Sequence, residues 1–223
     1  MTTSSSPRAA TRWAVPLVVT AVIGLAACAP AAPPAPPAPP TTTAAAAPGQ
    51  TSGLTCDGAG VDPAATIRYG SERLIKAPLD RIWDLQTDVE RYPTWQTAVA
   101  TIERLDGDRP LQPGSQFRWT TPIPATPATP ATTLTVTSSL QQVEKESCLR
   151  WTGPAVGTGL NIDEGTHVWT FTPADGGVLV RTEETWTGAQ VEADVPLATS
   201  ALGAGLETWL DELTTAAEGS APR

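Results

Sequence analysis

Between Thr66 and Thr187 apolar and polar residues alternate in short runs, the period-two pattern of strands with one face buried. The runs are Thr66–Lys76, Ala98–Leu105, Gln116–Thr121, Thr133–Val143, Leu149–Thr152, His167–Thr172 and Val178–Thr187. They are rich in β-branched and aromatic residues and are separated by glycine, proline and aspartate, so they predict strands. Twice the period lengthens to that of a helix. After Pro78, whose fixed φ and missing N–H suit a helix start, Leu79, Ile82 and Trp83 fall on one face. A second short helical turn follows, ending at Tyr92-Pro93 and Trp95. Near the C-terminus, Leu202, Leu206, Trp209, Leu210, Leu213 and Ala217 share one face of a helix from Pro196 or Thr199 to Ala217, with Glu207, Asp211 and Glu212 opposite. Gly203 and Gly205 cost that helix up to about 1 kcal/mol each relative to alanine, and Gly219 marks its stop. One strand, two short helices, six strands and a long helix make an α+β domain.

The alternation also predicts register. A two-residue turn at Asp175-Gly176 sets His167 opposite Glu184, Trp169 opposite Thr182 and Phe171 opposite Val180. These residues and Trp186 then share the face that meets the helix, while Glu183 and Arg181 point outward and are expected to be exposed. A turn at Gly176-Gly177 keeps that parity; a three-residue turn reverses it. A buried carboxylate without a partner costs several kcal/mol or takes up a proton, so Glu184 requires His167, another donor or a ligand.

The N-terminal region predicts export. Arg8 and Arg12 precede an apolar run from Trp13 to Ala27, too short to span a bilayer at roughly 20 residues. It ends in Leu25-Ala26-Ala27-Cys28, which resembles a bacterial lipobox and implies cleavage before Cys28 and its lipidation, so residues 1–28 are assigned to a lipoprotein signal peptide. Residues 29–64 are an Ala/Pro/Thr-rich tether, favouring polyproline II, with an N-terminal extension. The globular domain is placed at 65–219. These features predict a location on the outer face of the bacterial cell membrane, or on a periplasm-facing membrane. From Cys28 onward the chain has 12 Lys+Arg and 23 Asp+Glu, a net charge of −11, which argues against nucleic acid as a partner. With Cys28 assigned to lipid, Cys56 and Cys148 are expected to form a disulfide in an oxidising compartment.

The order of motifs resembles the START-like, or SRPBCC, superfamily, which includes the birch pollen allergen fold and bacterial polyketide cyclase/dehydrase-like proteins. The resemblance begins with Ile75-x-Ala77-Pro78, Trp83-x-Leu85-x-x-Asp88 and Tyr92-x-x-Trp95. It continues through Leu149-x-Trp151-x-Gly153, His167-x-Trp169-x-Phe171, Gly176-Gly177 and Glu184-x-Trp186-x-Gly188, covering residues 66 to 217. It implies a helix-grip fold, a curved seven-stranded antiparallel sheet around the C-terminal helix with an apolar cavity between them.

Seven of the eight tryptophans lie in the domain, and tryptophan joins a large apolar area to one N–H donor, as suits a cavity for an apolar ligand with a polar group. The expected lining is Trp83, Trp95, Trp119, Trp151, His167, Trp169, Phe171, Glu184 and Trp186, with Leu206, Trp209, Leu210 and Leu213 from the helix. The leading expectation is a membrane-tethered, extracytoplasmic protein that binds a small hydrophobic or lipid-like ligand without a cofactor or metal. The resemblance also permits a cyclase or dehydratase with His167 and Glu184 as acid and base, and a protein-interaction module. No nucleophile elbow, phosphate loop, dinucleotide fingerprint or metal motif accompanies the pair.

Overall fold

The structure is a computed structural model and describes residues 53–125 and 130–219. The expected signal peptide, Cys28 and residues 29–52 of the tether and extension lie outside the described residues. The chain forms β1 (Thr55–Cys56), β2 (Ala59–Gly60), β3 (Ile67–Ile75), α1 (Leu79–Thr87), a 3-10 helix (Val89–Thr94), β4 (Thr101–Arg104), β5 (Gln116–Ile123), β6 (Thr132–Glu144), β7 (Cys148–Gly157), β8 (Leu160–Ala174), β9 (Gly177–Thr187), a 3-10 turn (Glu192–Asp194) and α2 (Val195–Glu218). The larger sheet runs β3-β9-β8-β7-β6-β5-β4, and its pairings are all antiparallel. Seven strands, two short helices after the first of them and a long C-terminal helix make the helix-grip fold.

Three local readings change. Pro78 caps α1 from one residue before its first turn. β7 and β8 extend beyond Leu149–Thr152 and His167–Thr172 to meet in a hairpin at Gly157 and Leu160. A register shift between Gly153 and Ala155 and the glycine-rich composition there break the alternation that would have marked the longer strands. Gly219 ends α2 in an extended conformation with φ −60°, and its N–H donates to the Thr215 carbonyl, so the stop does not use a left-handed residue.

The strand periodicity faces one side of the sheet toward α2, and the buried residues gather in two groups. At the C-terminal half of α2, Trp209, Leu210, Leu213 and Ala217 pack with Ile82, Trp83, Tyr92, Phe117, Leu149, Trp151, Trp169 and Phe171. At its N-terminal half, Ala198, Leu202 and Leu206 pack with Ile67, Leu134, Ala155 and Ile162. The charged side of α2 is tied down as well. Tyr69 and Arg73 of β3 donate to Glu207, Arg73 also donates to Asp211, and Thr97 donates through N and Oγ1 to Glu212. Arg81 of α1 donates to the Ala216 and Gly219 carbonyls, satisfying groups that the end of α2 leaves unpaired.

The opposite face of the sheet carries a structure that the sequence pattern does not predict, the β1–β2 ribbon. Cys56 and Cys148 form the expected disulfide, 92 residues apart in sequence. Cys56, Val61, Cys148 and Val168 are buried together there, with Leu54 against them.

Candidate functional site on the inner face of the sheet

Cross-strand pairing places Tyr69, Glu184, His167, Trp151 and Leu140 in one row across β3, β9, β8, β7 and β6. The predicted pairings of His167 with Glu184, Trp169 with Thr182 and Phe171 with Val180 are all observed, on either side of an Asp175-Gly176 turn in which Gly176 takes φ +85°. That register turns Glu184 inward beside His167. Nδ1 of His167 lies 3.2 Å from Oε2 of Glu184, and the Trp186 indole N–H donates to Oε1 at 2.7 Å. The other imidazole nitrogen, Nε2, is 2.6 Å from Oγ1 of Thr182, which is fully buried.

This chain of groups has two complete hydrogen-bonding states. In one, an ionised Glu184 accepts from Nδ1–H and Nε2 accepts from the Thr182 hydroxyl. In the other, a protonated Glu184 donates to Nδ1 and Nε2–H donates to Thr182. Burial lowers the His167 pKa to about 3, keeping the ring neutral. Burial raises Glu184 to about 7, partly opposed by the hydrogen bond from Trp186. The pair can therefore hold or release one proton near neutrality, at a carboxyl group whose side chain retains 17% exposure.

Glu183 corrects an expectation. It faces outward as the register requires, but only 8% of it is exposed and Arg181 is not its partner. The N-terminal segment lies over it, so that Leu54 N–H donates to Oε2 at 2.7 Å and Arg68 Nε to Oε1 at 2.5 Å. Arg181 pairs instead with Glu72. The physical cause is the disulfide-held ribbon, which covers a face that a bare sheet would leave to solvent.

The residues expected to line one cavity divide between the two apolar groups. Trp83, Trp151, Trp169, Phe171, Trp209, Leu210 and Leu213 belong to the first, with Trp95 and Trp119 half-buried against it. Leu206 belongs to the second, with Trp186 packed on it. Within the first group the rings touch one another. Trp209 lies 5.4 Å from Tyr92, 5.9 Å from Trp169, 6.1 Å from Trp119, 6.3 Å from His167 and 6.5 Å from Trp95, centroid to centroid. A depression of about 510 Å³ lies elsewhere, among α1, the β4–β5 loop and the β6–β7 hairpin, with Trp83, Leu111 and Val143 among its walls and Asp84, Arg91 and Lys145 also lining it. Of the expected lining residues, Trp83 alone borders it.

Two polar members of the interior are missing from the predicted set. The register places Thr182 opposite Trp169 but assigns it no role. Gln86 is fully buried, accepts from the Trp209 indole at 3.3 Å and through its carbonyl from Tyr92 at 2.6 Å. Its spacing of four from Ile82 puts it on the apolar face of α1, a signal present in the sequence. Among the described residues no group of three or more His, Cys, Asp or Glu is gathered as a metal site.

The family described as "Polyketide cyclase / dehydrase and lipid transport" matches residues 66–218. No curated protein matches the sequence. Among solved structures, a protein from Thermus thermophilus is similar with a TM-score of 0.54 and 18% identity, over 70% of this chain and 99% of that one. A protein from Helicobacter pylori is similar with a TM-score of 0.51 and 17% identity, over 70% and 91%. The di-domain ARO/CYC StfQ from the steffimycin biosynthetic pathway has a TM-score of 0.51 and 15% identity, over 68% of this chain and 51% of StfQ. At these identities the structural likeness carries the fold.

Proposed function

The chain belongs to the polyketide cyclase/dehydrase and lipid transport family, and from that premise we propose that it binds a small hydrophobic molecule between the sheet and α2, with the ligand's polar group directed to Glu184. The observation that carries this reading is an ionisable side chain placed between two apolar groups. Glu184 faces inward, is joined to His167 and Trp186, and remains partly open to solvent. A purely structural interior gains little from such a group, because burying a carboxyl that can ionise near neutrality opposes folding. A binding site gains orientation from a few polar groups among apolar walls.

Native mass spectrometry of the protein from its own cells, with fluorescence titration using anilinonaphthalene sulfonate, tests the proposal. One bound small molecule and one saturable site are expected, with affinity reduced about tenfold or more in Glu184→Ala, the equivalent of losing one hydrogen bond to a charged group. No co-purifying molecule and no saturable site would remove the proposal.

The reach of the reading includes its setting. Cys28 carries lipid, and the Ala/Pro/Thr-rich tether displays the domain outside the membrane. Cys28→Ser then moves the protein from the membrane fraction to the soluble one.

A second reading rests on the proton-carrying chain of Glu184, His167 and Thr182. The pair serves as acid and base in a cyclisation or dehydration of the bound molecule. Its mark is turnover lost in His167→Ala while binding survives.

A further inference from the structure

The hydrogen-bonding groups of the aromatic interior are out of balance. Four buried side-chain atoms lack a partner among the described residues, Gln86 Nε2, Trp95 Nε1, Gln96 Nε2 and Trp169 Nε1, and all four are N–H donors. Their neighbours' acceptors are engaged. Gln86 Oε1 accepts from Trp209, Gln96 Oε1 from Ala98 N–H, Ser138 Oγ from Trp119, and Glu184 from Trp186. Three of the four donors belong to side chains next to one ring. Trp169 and Trp95 lie against Trp209, and Gln86 is bonded to its indole nitrogen.

A donor left unpaired in an apolar interior costs about 1–3 kcal/mol, and each of these tryptophans could have been a phenylalanine at no such cost. What the cluster lacks is an acceptor. Water is a weaker remedy, because each molecule adds two O–H donors of its own to a place where donors already outnumber their partners. An anion is a poor one too, since its charge would be buried among aromatic rings beside a neutral His167 and the carboxyl of Glu184. A neutral oxygen that accepts and does not donate meets the demand.

We propose that the aromatic end of this site selects a part of an apolar molecule that carries acceptor oxygen and no donor, a ketone, quinone or ester group, whose oxygen receives N–H groups from among Trp169, Trp95 and Gln86 beside the Trp209 ring, while Glu184 meets a polar group elsewhere on the ligand. The inference rests on the binding function above and names the chemistry of its ligand. The half-buried Trp95 and Trp119 are where the cluster approaches the surface, so entry displaces their rings rather than the buried Trp169.

Three probes of nearly equal shape separate the alternatives. Benzophenone carries a carbonyl, diphenylmethane has no oxygen, and benzhydrol carries a hydroxyl. Calorimetric titration of the mature chain is expected to show benzophenone binding about tenfold or more tighter than diphenylmethane, the equivalent of about one net hydrogen bond. Benzhydrol falls below benzophenone because a hydroxyl among these N–H groups adds a donor where an acceptor is needed. Trp169→Phe and Trp95→Phe keep a ring and remove the N–H, so the preference for the ketone shrinks while diphenylmethane affinity is retained. Indole N–H resonances of the unaltered protein supply a readout that needs no variant to fold. Two should move with benzophenone and stay with diphenylmethane. Equal affinities for ketone and hydrocarbon, or unmoved indole signals on ketone binding, overturn the inference and leave the binding function standing. Failure of all three probes to bind, in a protein that also shows no saturable site for anilinonaphthalene sulfonate, overturns both.

Discussion

Glu184 and Glu183 are successive residues of β9, and each is held by one donor cluster on its own side of the sheet. Inside, His167 and Trp186 hold Glu184; outside, Arg68 and Leu54 hold Glu183. Glu183→Ala therefore leaves a guanidinium and an N–H without their acceptor and is expected to cost about 2 kcal/mol in denaturant unfolding. A loss below about 0.5 kcal/mol would mean that the N-terminal cover contributes nothing. Glu184 is best separated by pH. Its folded pKa, raised from 4.5 to about 7, gives a contribution present below 4.5 and lost as pH rises through 7. The folded pKa of His167, lowered from 6.5 to about 3, gives one present above 6.5 and lost as pH falls through 3. Between 4.5 and 6.5 the two cancel, because the native pair holds one proton on Glu184 and the unfolded chain holds one on His167. Glu184→Gln keeps the shape of the neutral carboxyl, so its melting temperature relative to the unaltered protein should rise between pH about 4.5 and 7 and level off above that. A difference that does not change over that interval would show that Glu184 is not titrating there. The inward direction of Glu184 was legible in the sequence, since it follows from a turn of two residues. The burial of Glu183 was not, because it depends on a segment more than 120 residues away that shows no strand periodicity.

Elements show the same division between local pattern and tertiary context. Gly203 and Gly205 look equivalent in the sequence of α2, each a weakness in a helix. A Cβ at Gly203 would stand 2.8 Å from the Tyr69 ring, whereas one at Gly205 meets nothing within 4 Å. Gly203 is thus the notch that lets β3 approach α2, and Tyr69 then reaches Glu207. Gly205→Ala is expected to stabilise by up to about 1 kcal/mol through helix propensity alone. Gly203→Ala should destabilise by about 1–3 kcal/mol, as overpacking does. Chemical denaturation of both variants checks the opposite signs, and stabilisation by Gly203→Ala would mean that the contact yields without cost. The seven strands and α2 were readable because each buries one face over many residues. The β1–β2 ribbon was not, since two-residue strands carry no period, and the packing of tryptophan on tryptophan was not, since periodicity identifies an inward face without saying what fills the space before it.

At the scale of the whole domain, the one covalent tie between distant parts of the chain among the described residues is Cys56–Cys148. Closing a loop of 92 residues stabilises by about 4–5 kcal/mol in the chain-entropy account. Reduction should lower the unfolding free energy by an amount of that order and expose the amide of Leu54 to rapid hydrogen exchange. A change under about 1 kcal/mol, with Leu54 still protected, would show that the ribbon is held by its contacts alone. The position of the bond also bears on how the protein is made. Val168 and Glu183, against which the ribbon settles, come later in the chain than Cys148. Both thiols have therefore emerged from synthesis before the surface that brings them together exists. Oxidation that keeps pace with synthesis would join them without a template, while oxidation after β8 and β9 have assembled finds them already adjacent. The bond is therefore expected to form faster in refolding when oxidant is added after the sheet has assembled than when it is added to the unfolded chain.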